Sequence, residues 1–283
     1  MRLTFRHLAA TVTAVVATVL AACQSSDLPI SPNGPQGQSF STNNALLRIV
    51  NGSPTAGSPC TVAGQSTVCI DIVIDGKRIP TPPGLPGFPY PVIPQLDSAA
   101  ILPYVSVPSG PVLIQIFRSG TNIPVFEPTT PPLVLSANKK YSFVLAGTAP
   151  LPPPNPGFFQ GYLFNDGLFN AGFGATMADF HNAAPSAGAQ QFQVTCDSCV
   201  NPQLIGAPAG PGGIVGPVSL IPSSNYTVGT TVTQLVIAAL NPLGNPGGVL
   251  PDPAGKQNVS VFIVDTNGAP PTFQPIAIED TNG

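Results

Sequence analysis

Proline and glycine interrupt this chain so often that no stretch after residue 44 sustains the 3.6-residue apolar period of an amphipathic helix. They number 37 and 29 in 283 residues, and they cluster between short apolar or alternating runs. Ile70, Ile72 and Ile74 alternate with Asp71, Val73 and Asp75, while Val112, Ile114 and Ile116 alternate with Leu113, Gln115 and Phe117. A period of two puts such side chains on opposite faces of a strand. Segments 141–146, 159–164, 191–195, 231–239, 259–265 and 273–278 have the same character. Asp75-Gly76, Asp166-Gly167 and Asn267-Gly268 offer the positive φ angles of tight turns. The pattern predicts an all-β chain, most simply a pair of sandwiches. Charged residues are 7% and hydrophobic residues 43%, the opposite of a highly charged disordered chain.

The amino terminus carries a different signal. Arg2 and Arg6 precede an apolar run from Leu8 to Leu20, and small residues lead into Cys23, the layout of a secretory signal. The run is shorter than the roughly 20 residues of a membrane span. Leu20-Ala21-Ala22-Cys23 resembles the bacterial lipobox. That resemblance implies cleavage after residue 22, a diacylglyceryl group on the Cys23 thiol and a further acyl chain, such as palmitate, on the new amino terminus. Three buried chains at about 0.8 kcal/mol per methylene would make release from the membrane negligible. Gln24 in place of Asp points to the outer membrane. Residues 24–43 are rich in Ser, Gln, Asn, Pro and Gly, and are expected to form a flexible tether with an end-to-end distance of roughly 25 Å. The chain has net charge −3, and about −5 without Arg2 and Arg6, so a nucleic-acid partner is not expected.

With Cys23 committed to lipid, Cys60, Cys69, Cys196 and Cys199 remain. An even number of cysteines in an exported chain favours disulfides, with three possible connectivities, and proximity favours Cys60–Cys69 and Cys196–Cys199. The rival for Cys196-Asp197-Ser198-Cys199 is a redox or metal site. Thioredoxin-like chemistry places the first cysteine at a helix start, whereas Cys196 follows a strand-like run. His181 is the one histidine beyond the signal, so a four-ligand zinc site would lack partners.

Other chemistry is sparsely supported. His181 stands at a strand end and fits a structural or turn role better than that of a base beside a nucleophile. There is no Gly-x-Ser-x-Gly elbow, and Gly172-Phe173-Gly174 lacks the third glycine of a dinucleotide loop. Asp71 and Asp75 share a strand face about 13 Å apart, too wide for paired-carboxylate hydrolysis and better read as solvated outer-face residues. Asp265-Thr266-Asn267-Gly268 and Asp280-Thr281-Asn282-Gly283 lack the acidic density of a calcium loop. Segment 79–95, proline-rich around Phe88 and Tyr90, is the candidate binding loop, with a connection covering a sandwich edge as the alternative. Segments 148–157 and 201–217 are expected to be similar loops.

The chain also repeats itself. Ile49-Val50-Asn51-Gly52-Ser53-Pro54 aligns with Phe180-His181-Asn182-Ala183-Ala184-Pro185 at an offset of 131, and Phe159-Gln160-Gly161 aligns with Phe273-Gln274-Pro275 at an offset of 114. Tandem copies over 44–170 and 171–283 follow, after a signal at 1–22 and the lipidated cysteine and tether at 23–43. Val50-Asn51-Gly52-Ser53-Pro54, Ile70-Asp71-Ile72-Val73-Ile74-Asp75-Gly76, Val107-Pro108-Ser109-Gly110 and Leu135-Ser136-Ala137-Asn138-Lys139-Lys140-Tyr141-Ser142 together resemble the bacterial domain-of-unknown-function 4397 family. The second copy keeps the Asn182 turn but replaces the Asp-Gly hairpin with the region around Cys196 and Cys199. The resemblance implies two tandem immunoglobulin-like sandwiches on an exported, lipid-anchored protein, and no catalytic residues. The expected function is that of a non-enzymatic cell-envelope lipoprotein contacting an envelope polymer or protein, with no cofactor or metal. The alternative is a periplasmic thiol oxidoreductase centred on Cys196 and Cys199.

Overall fold

β-branched and aromatic runs make the strands of this chain, and proline- and glycine-rich segments separate them. A computed structural model describes residues 43–62, 64–81, 84–90, 95–96, 104–126, 132–148, 159–166, 176–196, 201–220, 225–238, 257–266 and 272–280. Among the described residues the regular structure is β, apart from one short 3-10 turn at Pro185–Ala187. The chain is an all-β protein of the sandwich type.

The first sheet has the order β13 (Gln160–Asp166), β12 (Lys140–Ala146), β1 (Asn44–Asn51), β7 (Val105–Pro108). The second runs β10 (Pro124–Phe126), β9 (Ile114–Arg118), β3 (Gln65–Ile74), β2 (Ser58–Val62), with β4 (Lys77–Arg78) and β5 (Phe88–Pro89) also paired to β3. The third runs β17 (Ile214–Leu220), β14 (Thr176–Asn182), β20 (Gln257–Asp265), β21 (Phe273–Asp280), β6 (Gln95–Leu96). The fourth runs β16 (Gln203–Ala209), β15 (Gln190–Cys196), β18 (Asn225–Thr230), β19 (Gln234–Ala238). β8 (Gly110–Val112) and β11 (Leu133–Leu135) form a separate ribbon.

The first and third sheets share one pairing scheme. β1 is parallel to β12 and β14 is parallel to β20, while the outer pairs β12–β13 and β20–β21 are antiparallel. The two aligned Asn-x-x-Pro turns do the same work. Asn51 Oδ1 accepts the Ser53 N–H at 3.2 Å, and Asn182 Oδ1 accepts the Ala184 N–H at 3.1 Å. Each side-chain amide then donates to two carbonyls, Val68 and Phe88 for Asn51, Gly188 and Ala209 for Asn182. An asparagine is required there because one planar group must both accept and donate.

Strand alternation fixes how the sheets stack. The Phe143 ring meets Phe126, so Tyr141, Phe143 and Leu145 of β12 face the second sheet. Ser142 and Val144 then face the other way, beside Arg48 and Val50 of β1. On β14, Phe180 meets Phe192 of the fourth sheet, whereas His181 meets Phe164 of β13 and Phe262 of β20. The order of layers is therefore second, first, third and fourth sheet, with the first and third back to back. Ala183, Phe262, Val264, Ile276 and Ile278 accordingly pack in the same apolar cluster as Leu47, Ile72 and Phe143. A second cluster holds Phe180, Phe192, Val194, Tyr226, Val228, Val261 and Ile263. Gly52 lies where the two halves touch: a Cβ there would sit 2.8 Å from the Leu145 carbonyl oxygen and 2.9 Å from Val264 Cγ1.

Some segments differ from their sequence reading. The expected loop 201–217 contains all of β16 and the start of β17, both at sheet edges, where proline costs no ladder bond on the outward side. The expected strand 231–239 begins only at Gln234, because Thr230 and Thr233 close a turn through the Thr230 N–H and the Thr233 carbonyl. Asp75 and Gly76 do form a tight turn with φ of 49° and 79°. Asp71 is buried, not solvated, and pairs with Arg78 while accepting the Gly120 N–H at 2.8 Å. Gly172-Phe173-Gly174, Asn267-Gly268 and nearly all of 148–157 lie outside the described residues.

Candidate functional site

The most unusual chemistry in the described residues is a set of charges sealed between the first and third sheets. β1 reads Asn-Ala-Leu-Leu-Arg-Ile-Val-Asn, and all of it after Asn44 is buried. Such a strand belongs between two layers, and Arg48 is the charge placed inside it. Ser142 lies opposite Arg48 on the parallel β12, and Phe164 lies opposite Ser142 on β13. Arg48 Nε donates to Ser142 Oγ at 2.9 Å, Ser142 Oγ donates to Asp166 Oδ2 at 2.6 Å, and the Tyr104 hydroxyl donates to the same oxygen at 2.9 Å. Arg48 Nη2 stands 3.5 Å from Asp166 Oδ2, closing the ion pair. The guanidinium also covers the Tyr104 ring at 4.7 Å and lies 5.8 Å from the Phe262 ring centre, so aromatic faces share its charge. One carboxylate oxygen, Asp166 Oδ2, thus collects two hydroxyl donors beside a guanidinium, which offsets part of the cost of burying the charge.

His181 sits next to this network, opposite Phe262 on the parallel β20. Its ring stacks on Phe262 at 4.6 Å and meets the edge of Phe164 at 4.8 Å, and Nε2 lies 3.0 Å from Asp179 Oδ2. His181, Ser142 and Arg48 are fully buried. Ser142 and His181 thus lie in the packing between the first and third sheets, away from solvent. Of these residues, only His181 and Asp166 stood out in the sequence, and Asp166 did so as a turn residue. The available signal was a lone arginine inside an otherwise apolar strand.

A second polar point joins the halves at the other end of the seam. The Tyr90 hydroxyl donates to the Asp265 carbonyl at 2.9 Å and accepts from Gln274 Nε2 at 3.0 Å. The Asp265 carboxylate accepts the Ser186 hydroxyl. Burial pushes the Asp265 carboxyl above the ordinary carboxylate value, against the lowering effect of bonds from Ser186 and the Gly147 N–H. Burial also pushes the Tyr90 and Tyr162 phenols up, and the Asp265 charge adds to both.

The candidate binding-loop residues are therefore placed inward. Phe88 is 2% exposed, lies in the first core and pairs with Ile70 as part of β5. Tyr90 is half-buried against β20 and β21. Pro82, Pro83, Pro91 and Pro94 of the same segment lie outside the described residues, as do Cys23 and Cys199. Cys60 and Cys69 are joined by a disulfide across the β2–β3 hairpin. Cys196 is disulfide-bonded and buried in the second core. Among the described residues no group of three His, Cys, Asp or Glu side chains is placed to hold a metal ion. Neither a protein-family model nor a curated protein sequence matches the chain.

Proposed function

We propose that this chain is a non-enzymatic lipoprotein of the bacterial cell envelope, held by lipid on Cys23, most simply in the outer membrane, whose tandem sandwiches at 44–170 and 171–283 serve as a structural or binding module for an envelope polymer or protein. The observation that carries the reading is the apolar run ending in Leu20-Ala21-Ala22-Cys23. The Cys60–Cys69 disulfide supports it, since such bonds persist in exported chains. The burial of His181 and Ser142 supports the non-enzymatic part, because the groups a hydrolase would use are consumed in packing. The resemblance to the domain-of-unknown-function 4397 family belongs to the same proposal and agrees with it in fold and anchoring.

Intact mass of the membrane-extracted protein, before and after reduction and alkylation, is the test. The expected result is a triacylated mass starting at Cys23, with Cys60, Cys69, Cys196 and Cys199 labelled only after reduction. An unacylated mass refutes the anchor. A readily labelled thiol at Cys196 or Cys199 in the unreduced protein favours thiol oxidoreductase chemistry instead.

A further inference from the structure

Among the described residues, no layer lies against one face of the ribbon of β8 and β11. Val112 and Leu135 point inward and are buried, whereas Pro111, Leu113, Pro132 and Val134 point outward and are exposed. Val134 lies directly opposite Pro111, and it is 66% exposed while Leu113 is 43% exposed. Single exposed apolar residues are ordinary, but four that adjoin on one small face form a patch of the kind that meets another surface.

The position of this face points to its occupant. Residue 43, where the segment following Cys23 joins the body, accepts the Ser109 N–H through its carbonyl, one residue before β8. Asn44 likewise accepts the Asn138 N–H, just after β11. The face therefore lies at the end of the body to which the amino-terminal segment is attached. The opposite end of β1, at Asn51, is about 23 Å further away at 3.3 Å per residue. Two exposed cations border the patch, Lys139 beside Asn138 and Lys77 just past the turn of Asp75, whose N–H and carboxylate both bond Leu113. An apolar face next to the anchored end, with Lys77 and Lys139 outnumbering Asp75 at its rim, matches the apolar and anionic layers of a bilayer surface.

We propose that the face formed by Pro111, Leu113, Pro132 and Val134 seats on the bilayer that holds the lipid, with Lys77 and Lys139 at the anionic headgroups. This inference rests on the anchor reading above. On this proposal the body lies against the membrane instead of standing off it.

The chain has no tryptophan, so one introduced indole is a clean depth reporter. Val134→Trp is placed on the face, and Val232→Trp, 71% exposed in the turn beside Gln191 and near the Asn182 end of the body, serves as the comparison. The acylated full chain is reconstituted in vesicles of phosphatidylethanolamine and phosphatidylglycerol with brominated acyl chains. The expected result is blue-shifted emission at 134 that is quenched severalfold more than emission at 232, and that loses this quenching when Leu113→Glu is added. Equal quenching at 134 and 232 in an acylated chain overturns the proposal. Intact mass of the same preparation reports acylation independently: an unacylated chain refutes the anchor and the proposal with it, whereas equal quenching in an acylated chain refutes the face alone.

Discussion

Arg48→Met should cost far more than the loss of an ordinary ion pair. The side chains of Arg48 and Asp166 are 1% and 4% exposed, so solvent does not screen them and cannot replace the lost partner. Pairs at the surface contribute about 0–1 kcal/mol. Removing one member of a buried pair strands the other charge and costs about 3–5 kcal/mol. Methionine keeps most of the arginine stem's volume and its contact with Tyr104 and Phe262, so the cost reports charge and hydrogen bonding more than a cavity. For a body of this size that is a fall in Tm of about 6–20 °C. Urea unfolding of Arg48→Met, Asp166→Asn and the double variant measures it. Asparagine leaves a neutral acceptor for Ser142 and Tyr104, so the double variant should recover about 1–3 kcal/mol relative to the sum of the singles. A single-variant cost below about 1 kcal/mol, or strict additivity, would refute the account of the seam as a coupled buried ion pair.

Three further outcomes are expected. Asp265 has a folded-state pKa above its unfolded value, so its contribution is fully present below the unfolded value near 3.8 and is lost as pH rises through the folded one; Asp265→Asn should flatten that part of the stability–pH curve, and an unchanged curve would contradict the burial argument. Tyr90→Phe removes the bonds to Asp265 and Gln274 that link the halves and should cost about 1–2 kcal/mol by urea denaturation, with no loss if the hydroxyl is merely solvated. Cys60→Ser with Cys69→Ser opens a cross-link with a sequence separation of 9, which by loop closure should cost about 2–3 kcal/mol; an unchanged midpoint under oxidising conditions would show that the hairpin is held by its ladder alone.

Much of the strand map was legible because it is written locally. Ile70, Ile72 and Ile74 alternate with Asp71, Val73 and Asp75, and all three isoleucines are buried on one face of β3. Asp75-Gly76 turns where its letters said it would, since aspartate and glycine tolerate positive φ. The matching turns at Asn51 and Asn182 are visible as a repeat because each asparagine accepts the N–H two residues on and donates to two carbonyls. Phe88 misled because proline-rich sequence reads as surface loop, yet the two residues of β5 pair with β3 and bring the ring into the core. β16 and β17 misled for a related reason: edge strands accept prolines that a central strand would reject. Asp71 reads as solvated in the sequence because its partner, Arg78, returns only after the hairpin turn.

The amino-acid sequence by itself determined that the chain is β throughout its body, where most strands run and that two stretches recur, because side-chain period and turn chemistry are properties of neighbouring residues. Only the tertiary structure decided that the first and third sheets lie back to back, and with that the fate of Arg48, Tyr104, Ser142, Asp166, His181 and Tyr90. The bonds that settle those residues join positions 62, 94 and 175 apart in the chain. A strand's alternation says that it has two faces. Which face meets solvent, and which meets another sheet, depends on what the rest of the chain brings to it.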